Sequence, residues 1–103
     1  MNILQSIFSG GKKADLKVLL EQGAYLVDVR TPGEFAAGNI PGSVNIPLDK
    51  LASQLSKFEN KKNIIVFCRS GNRSGQAKSI LEQNGFTNVA DGGAMEYVSQ
   101  FVK

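Results

Sequence analysis

The chain contains no histidine and no tryptophan, and it has a single cysteine, Cys68, among its 103 residues. Without histidine, neither a cysteine–histidine catalytic pair nor a histidine-ligated metal site can form. With one cysteine, an internal disulfide and a thiolate cluster for zinc are both excluded, and so is a disulfide-stapled secreted domain. We therefore expect the protein to use no metal and no cofactor.

The sequence also lacks a strong charge bias and a long apolar run. The net charge is only +3 and the lysines are scattered along the chain, so we expect neither nucleic acid nor a membrane as a partner. No segment approaches the roughly 20 apolar residues of a membrane span. Residues 1–13 do not have the pattern of a signal peptide, because polar residues interrupt their apolar stretch. A reducing, cytoplasmic location is the resulting expectation.

An apolar fraction of 42% and a charged fraction of 20% are typical of an ordinary globular core. The length suits one compact domain, which we expect to span residues 1–103. Residues 1–11 end in a Gly-Gly pair and are predicted to form a short N-terminal arm.

Strand and helix patterns alternate after this arm. Strands are predicted at residues 25–29, 43–46, 63–67 and 86–90. Helices are predicted at 15–22, at a short segment capped by Thr31 and Glu34, at 48–58, at 73–84 and at 94–102, and residues 91–93 are predicted as a turn. Near-continuous apolar strands are typical of parallel sheets buried on both faces. The predicted fold is therefore α/β, with a parallel sheet of four to five strands and helices on both faces.

The three arginines are placed where such a fold would gather them. Arg69 and Arg73 flank the segment that follows Cys68, and Arg30 follows the first strand. Ligands of open α/β sheets bind beyond the carboxyl ends of the strands. We therefore expect Cys68 and the arginines to lie at one edge of the sheet.

A cysteine before a polar loop and a helix has the setting of a reactive thiolate. Free backbone N–H groups at a helix start attract anions, and Gly71 permits a tight loop whose amides turn inward. Nearby Arg69 and Arg73 also favour the thiolate, so no histidine base is required. The alternative interpretation of Cys68 is a small buried apolar residue. Similarly, Arg30 is interpreted as a structural partner of Asp28 or Glu34.

At this point the sequence resembles the rhodanese homology domain, from about residue 14 to the C-terminal helix. Four segments carry the resemblance, in the family's order: 26–35 (LVDVRTPGEF), 38–47 (GNIPGSVNIP), 66–74 (VFCRSGNRS) and 92–97 (GGAMEY). Asn39 and Tyr97 stand where the family usually has histidine and tryptophan, which implies changes of packing. The short segment before Asp15 leaves the family's first edge strand in question.

The resemblance implies a three-layer sandwich and a sulfurtransferase of the thiosulfate type. Cys68 would be the nucleophile that forms a persulfide, and the substrate-binding loop would comprise Arg69, Ser70, Gly71, Asn72 and Arg73. Asp28, Arg30 and Glu34 would support it. The implied partners are a small anionic sulfur donor and a cyanide or thiol acceptor, with a sulfur-accepting protein as a further option.

Three other functions stay open at this stage. A cysteine phosphatase has five residues between its cysteine and arginine, whereas four separate Cys68 from Arg73; the tighter ring suits a single sulfur. A non-catalytic binding module and a sulfur carrier are the other two. Because the chain has no second cysteine, a persulfide could be discharged only to an external nucleophile.

Overall fold

The structure, a computed structural model, describes residues 15–102, and the predicted arm, residues 1–11, lies outside them. Four parallel strands form one sheet in the order β2-β1-β3-β4. The strands are β1 (Tyr25–Asp28), β2 (Val44–Asn45), β3 (Ile64–Cys68) and β4 (Val89–Ala94). The helices are α1 (Leu16–Glu21), α2 (Pro32–Ala37), α3 (Asn72–Gln83) and α4 (Met95–Ser99). Two 3₁₀ helices span Leu48–Ser53 and Leu55–Phe58.

Apolar side chains alternate between the two faces of the sheet and build one core on each. On one face Val27 and Val66 pack in the same cluster as Leu81 of α3. On the other, Ile65 packs in the same cluster as Leu19 of α1. This alternation follows from the two-residue period of a strand. The predicted α/β fold, with a parallel sheet and helices on both faces, is confirmed.

Helix α2 begins at its predicted capping residue, Thr31, and Asp15, predicted as the first residue of the first helix, is instead its cap. Asp15 caps α1 by accepting a hydrogen bond from the backbone N–H of Val18. Thr31 caps α2 in a complete capping box with Glu34, and Pro32 occupies the first helical position. The Thr31 cap, three residues after the end of β1, starts α2 and so places it at the carboxyl edge of the sheet.

The single helix predicted at residues 48–58 is wrong, because the segment forms two short 3₁₀ helices. A 3₁₀ helix has three residues per turn, so residues three apart share a face. Leu48 and Leu51 meet this spacing in the first, and Leu55 and Phe58 meet it in the second. Leu51 and Phe58 are buried, so the same apolar residues reach the core through a tighter backbone.

The turn predicted at residues 91–93 is also wrong, because these residues belong to β4. The register between β3 and β4 shifts between Val66, which pairs with Asp91, and Phe67, which pairs with Gly93. Gly92 is the extra residue of this β-bulge. The final helix is correspondingly shorter than predicted and covers Met95–Ser99.

Replacing Gly92 by alanine should lower the free energy of unfolding by about 1–3 kcal/mol, as overpacking in a core does. A Cβ there would lie 2.9 Å from Val98 and 3.0 Å from Ile65. Gly33 is the matched control, since a Cβ at Gly33 meets nothing within 4 Å and alanine suits its helical position. Urea denaturation of both variants measures the difference, and an equal loss in both would contradict the packing argument.

Candidate active site

Cys68 is the last residue of β3, and its side chain points to the face covered by α3. The residue has no exposed surface, but its sulfur faces polar groups. The backbone N–H of Gly71 donates to Cys68 Sγ over 3.0 Å, and that of Ser74 donates over 3.3 Å. The thiol is therefore buried in the core and, at the same time, ringed by amides of the loop that follows it.

These amides are free because helix α3 begins at the loop. The first N–H groups of a helix have no partner within the helix, and the amide of Ser74 is the third of them in α3. Gly71 precedes the helix with φ +102°, a left-handed conformation that favours glycine. This conformation turns the chain back over β3, so that both amides converge on the sulfur.

The loop amides change the acidity of the thiol. Burial raises the pKa of Cys68. Hydrogen bonds from the amides of Ser74, Gly71 and Ser70, and from the Ser74 side chain, together lower the pKa by more than burial raises it. The net pKa lies below the ordinary thiol value. The site can therefore hold a sulfur anion without a histidine.

Glu34 and Arg73 join helix α2 to the loop at the edge of this site. Two guanidinium nitrogens of Arg73 donate to the two carboxylate oxygens of Glu34, over 2.6 and 3.0 Å. This bidentate pair, together with the amide of Thr31, lowers the pKa of Glu34 from its ordinary value to about 2. Arg73 is thus held by a carboxylate, and its predicted role in binding an anionic substrate stays a prediction.

Asp28 and Arg30 form a buried ion pair below this edge. Asp28 is fully buried, and Arg30 is 7% exposed. Nε and Nη2 of Arg30 donate to the carboxylate of Asp28, and Nη2 also donates to the carbonyl of Gly38 over 2.7 Å. The structural partnership expected for Arg30 is present with Asp28, and it ties the end of β1 to the end of α2.

The remaining predicted loop residues, Arg69, Ser70 and Asn72, are exposed. The structure therefore brings together Cys68, Gly71 and the start of α3, while the charged side chains lie around them. Sequence reasoning did not single out Ser74, whose amide reaches the sulfur. Counting free amides from the start of the helix is the signal that would have found it.

The structure shows the contacts of Asn39 and Tyr97, the two residues that differ from the family's usual histidine and tryptophan. Asn39 donates from its side chain to the carbonyl of Phe35 over 3.0 Å, so it closes the end of α2. Tyr97 packs its ring edge-on against Phe101, with 5.1 Å between the centroids.

Among residues 15–102 there is no cluster of acidic and thiol ligands suited to a metal ion. None of the helices in this same part of the chain has the length and apolar content needed to cross a bilayer.

Comparison with known proteins gives one consistent family. The model of the rhodanese-like domain matches residues 12–100. A sulfurtransferase of Allochromatium vinosum is 39% identical over 66% of this chain and 64% of its own length. The thiosulfate sulfurtransferase PspE of Escherichia coli is 33% identical over 73% of this chain and 74% of its own length. The chain thus spans just under two thirds of the first of these relatives.

Solved structures that resemble this chain belong to the same family as these relatives. The human single-domain sulfurtransferase TSTD1 superposes with a TM-score of 0.71 at 30% identity, covering 91% of this chain and 100% of the human one. A rhodanese with anions from E. coli superposes with a TM-score of 0.66 at 32% identity, covering 73% of this chain and 91% of that one.

Proposed function

Because this chain belongs to the rhodanese-like domain family, we propose that it is an enzyme that transfers sulfane sulfur through a persulfide on Cys68. The observation that carries the proposal is the convergence of the Gly71 and Ser74 amides on Cys68 Sγ. Hydrogen-bond donors aimed at a sulfur stabilise its anionic form. The loop provides both the nucleophile and the cradle for its charge.

The donor in this proposal is thiosulfate or a similar small anion. The Cys68 thiolate attacks the outer sulfur of thiosulfate, the sulfur–sulfur bond of the donor breaks, and sulfite leaves with the electron pair. Arg69 supplies positive charge beside the loop, which favours an anionic donor. Since Cys68 has no exposed surface, the donor must displace part of the loop to reach the sulfur.

The acceptor must be an external nucleophile, since Cys68 is the only cysteine of the chain. Cyanide, a low-molecular-weight thiol or the cysteine of a partner protein would attack the outer sulfur and release the Cys68 thiolate. Because the cycle requires Cys68 as a free thiolate at each turn, a reducing compartment such as the cytoplasm suits it.

Mass spectrometry after thiosulfate treatment tests the proposal directly. We expect the chain to gain the mass of one sulfur atom on the peptide that contains Cys68, and to lose it on addition of cyanide. The Cys68→Ala variant is the control and should gain nothing. An unmodified wild-type chain, or equal modification of the variant, would contradict the proposal.

The same preparation also tests the phosphatase alternative. Four residues lie between Cys68 and Arg73, and Arg73 is bound to Glu34. A phosphate would need a wider ring and a free guanidinium to hold its oxygens. We therefore expect no hydrolysis of a chromogenic phosphate ester; hydrolysis that disappears in Cys68→Ala would establish the phosphatase instead.

A further inference from the structure

A cleft of about 580 Å³ lies beside the cysteine loop, and Arg69, Met95 and Glu96 are among the residues that line it. Strand register explains why these residues meet. Cys68 pairs with Ala94 in the last step of the β3–β4 ladder, so the residues that follow these two strands emerge side by side. The cleft therefore begins one residue after the nucleophile, and its volume suits a small organic molecule.

The charges of this cleft divide into two sets. Two lining residues, Arg30 and Glu34, already form ion pairs, Arg30 with Asp28 and Glu34 with Arg73. Arg69 and Glu96 are exposed, and their side chains make no hydrogen bond or ion pair with any other residue in the range 15–102. As far as residues 15–102 are concerned, the cleft thus presents one cation and one anion that have no charged partner, Arg69 and Glu96.

Two apolar side chains also line the cleft. Ala37 closes the cleft on the side of α2, and Met95 lies on the side of α4. A ligand that fits this lining has a short aliphatic body with a negative group at one end and a positive group at another. Thiosulfate and cyanide have no positive group, so neither of them uses Glu96.

We propose that this cleft binds the sulfur acceptor and selects thiols that carry both a carboxylate and an ammonium group, as cysteine and its short peptides do. The inference rests on the proposed sulfurtransferase function and names the acceptor class for it. Arg69 faces the carboxylate of the acceptor and Glu96 faces its ammonium group, while the methylene carbons contact Met95. Glu96 is thereby a specificity-determining residue.

The transfer step balances without a further reactant. The acceptor thiolate attacks the outer sulfur of the Cys68 persulfide, and a new sulfur–sulfur bond forms on the acceptor. The bond to Cys68 Sγ breaks, and its electron pair stays on Sγ as the thiolate. No group is oxidised or reduced overall, because the outer sulfur keeps its oxidation state.

The test uses chain loaded in advance with sulfur and three thiols of similar size: cysteine, cysteamine, which lacks the carboxylate, and 3-mercaptopropionate, which lacks the ammonium group. The rate of persulfide loss gives kcat/KM for each thiol. Comparing a variant with wild type for the same thiol cancels the intrinsic reactivity of that thiol.

Glu96→Gln should lower kcat/KM about twofold to fivefold for cysteine and cysteamine, the range of an exposed charge pair, and should not lower it for 3-mercaptopropionate. Arg69→Gln should lower it similarly for cysteine and 3-mercaptopropionate but not for cysteamine. Glu82→Gln, which removes an exposed carboxylate of α3 that does not line the cleft, is the control for overall charge.

Two failures are distinguishable in this design. A wild-type chain that never loads sulfur overturns the proposed function, and the acceptor site with it. A chain that loads sulfur, but in which Glu96→Gln acts equally on all three thiols or no differently from Glu82→Gln, overturns the acceptor site alone.

Discussion

Replacing Cys68 by serine should abolish thiosulfate-dependent sulfur transfer, bringing it to the rate measured without protein, while the chain still folds. A hydroxyl of the same shape can accept the hydrogen bonds that Gly71 and Ser74 donate, so the loop keeps its partners. Serine cannot form the sulfur–sulfur bond that carries the transferred atom. The measurement is thiocyanate formation from thiosulfate and cyanide, with circular dichroism as the check of folding.

Ser74→Ala is the matched comparison for this variant. The Ser74 hydroxyl donates to the carbonyl of Gly71 over 2.9 Å and contributes to the lowered pKa of Cys68, whereas its backbone amide is kept by alanine. We expect Ser74→Ala to retain activity with a higher apparent thiol pKa. Serine at position 68 that still transfers sulfur would show that the reaction does not pass through this residue.

The pH profile of sulfur loading follows from the same contacts. Because the amides lower the pKa of Cys68 more than burial raises it, the thiolate is populated at a pH below the ordinary thiol value of 9.0. The midpoint of the loading-rate profile of the wild type should lie below that pH, and the midpoint for Ser74→Ala should be displaced upward. Stopped-flow measurement of sulfite release gives both curves.

Sequence periodicity predicted most of the sheet because its signals are local. The apolar runs around Val27 and Val66, and the capping box of Thr31 and Glu34, depend on neighbours within a few residues. The error at Gly92 has a different origin. Two adjacent glycines are typical of a turn, and only the register of β4 against β3 shows that they form a bulge.

The sequence predicted which residues form the candidate site, but not all of the ion pairs that these residues make. Cys68, Gly71 and the start of α3 lie within a few residues of one another in the sequence, so the sequence alone predicts that they are close in space. The pairing of Arg73 with Glu34 spans 39 positions, and it depends on how α2 packs over the loop. The sequence predicted a carboxylate partner for Arg30, which is Asp28, but it did not predict that Arg73 is held by Glu34.

Breaking the buried Asp28–Arg30 pair should cause a large loss of stability. Asp28→Leu would leave the guanidinium of Arg30, which is 8% exposed in its side chain, without a counter-charge. Removing one partner of a buried ion pair costs about 3–5 kcal/mol. We expect a fall of that size in the free energy of unfolding, measured by urea denaturation.

The double variant Asp28→Leu/Arg30→Met separates the ion pair from simple loss of packing. Replacing both charges by apolar groups removes the unpaired guanidinium, so the double variant should be more stable than Asp28→Leu alone. The pair of Glu34 and Arg73 is the contrast. It is only partly buried, with side chains 25% and 31% exposed, so solvent screens it more, and Glu34→Gln should change stability less than Asp28→Leu. If Asp28→Leu proved as mild as Glu34→Gln, the buried pair would not organise this edge of the sheet. The end of β1 would then be held beside the cysteine loop only by its backbone pairing with β3.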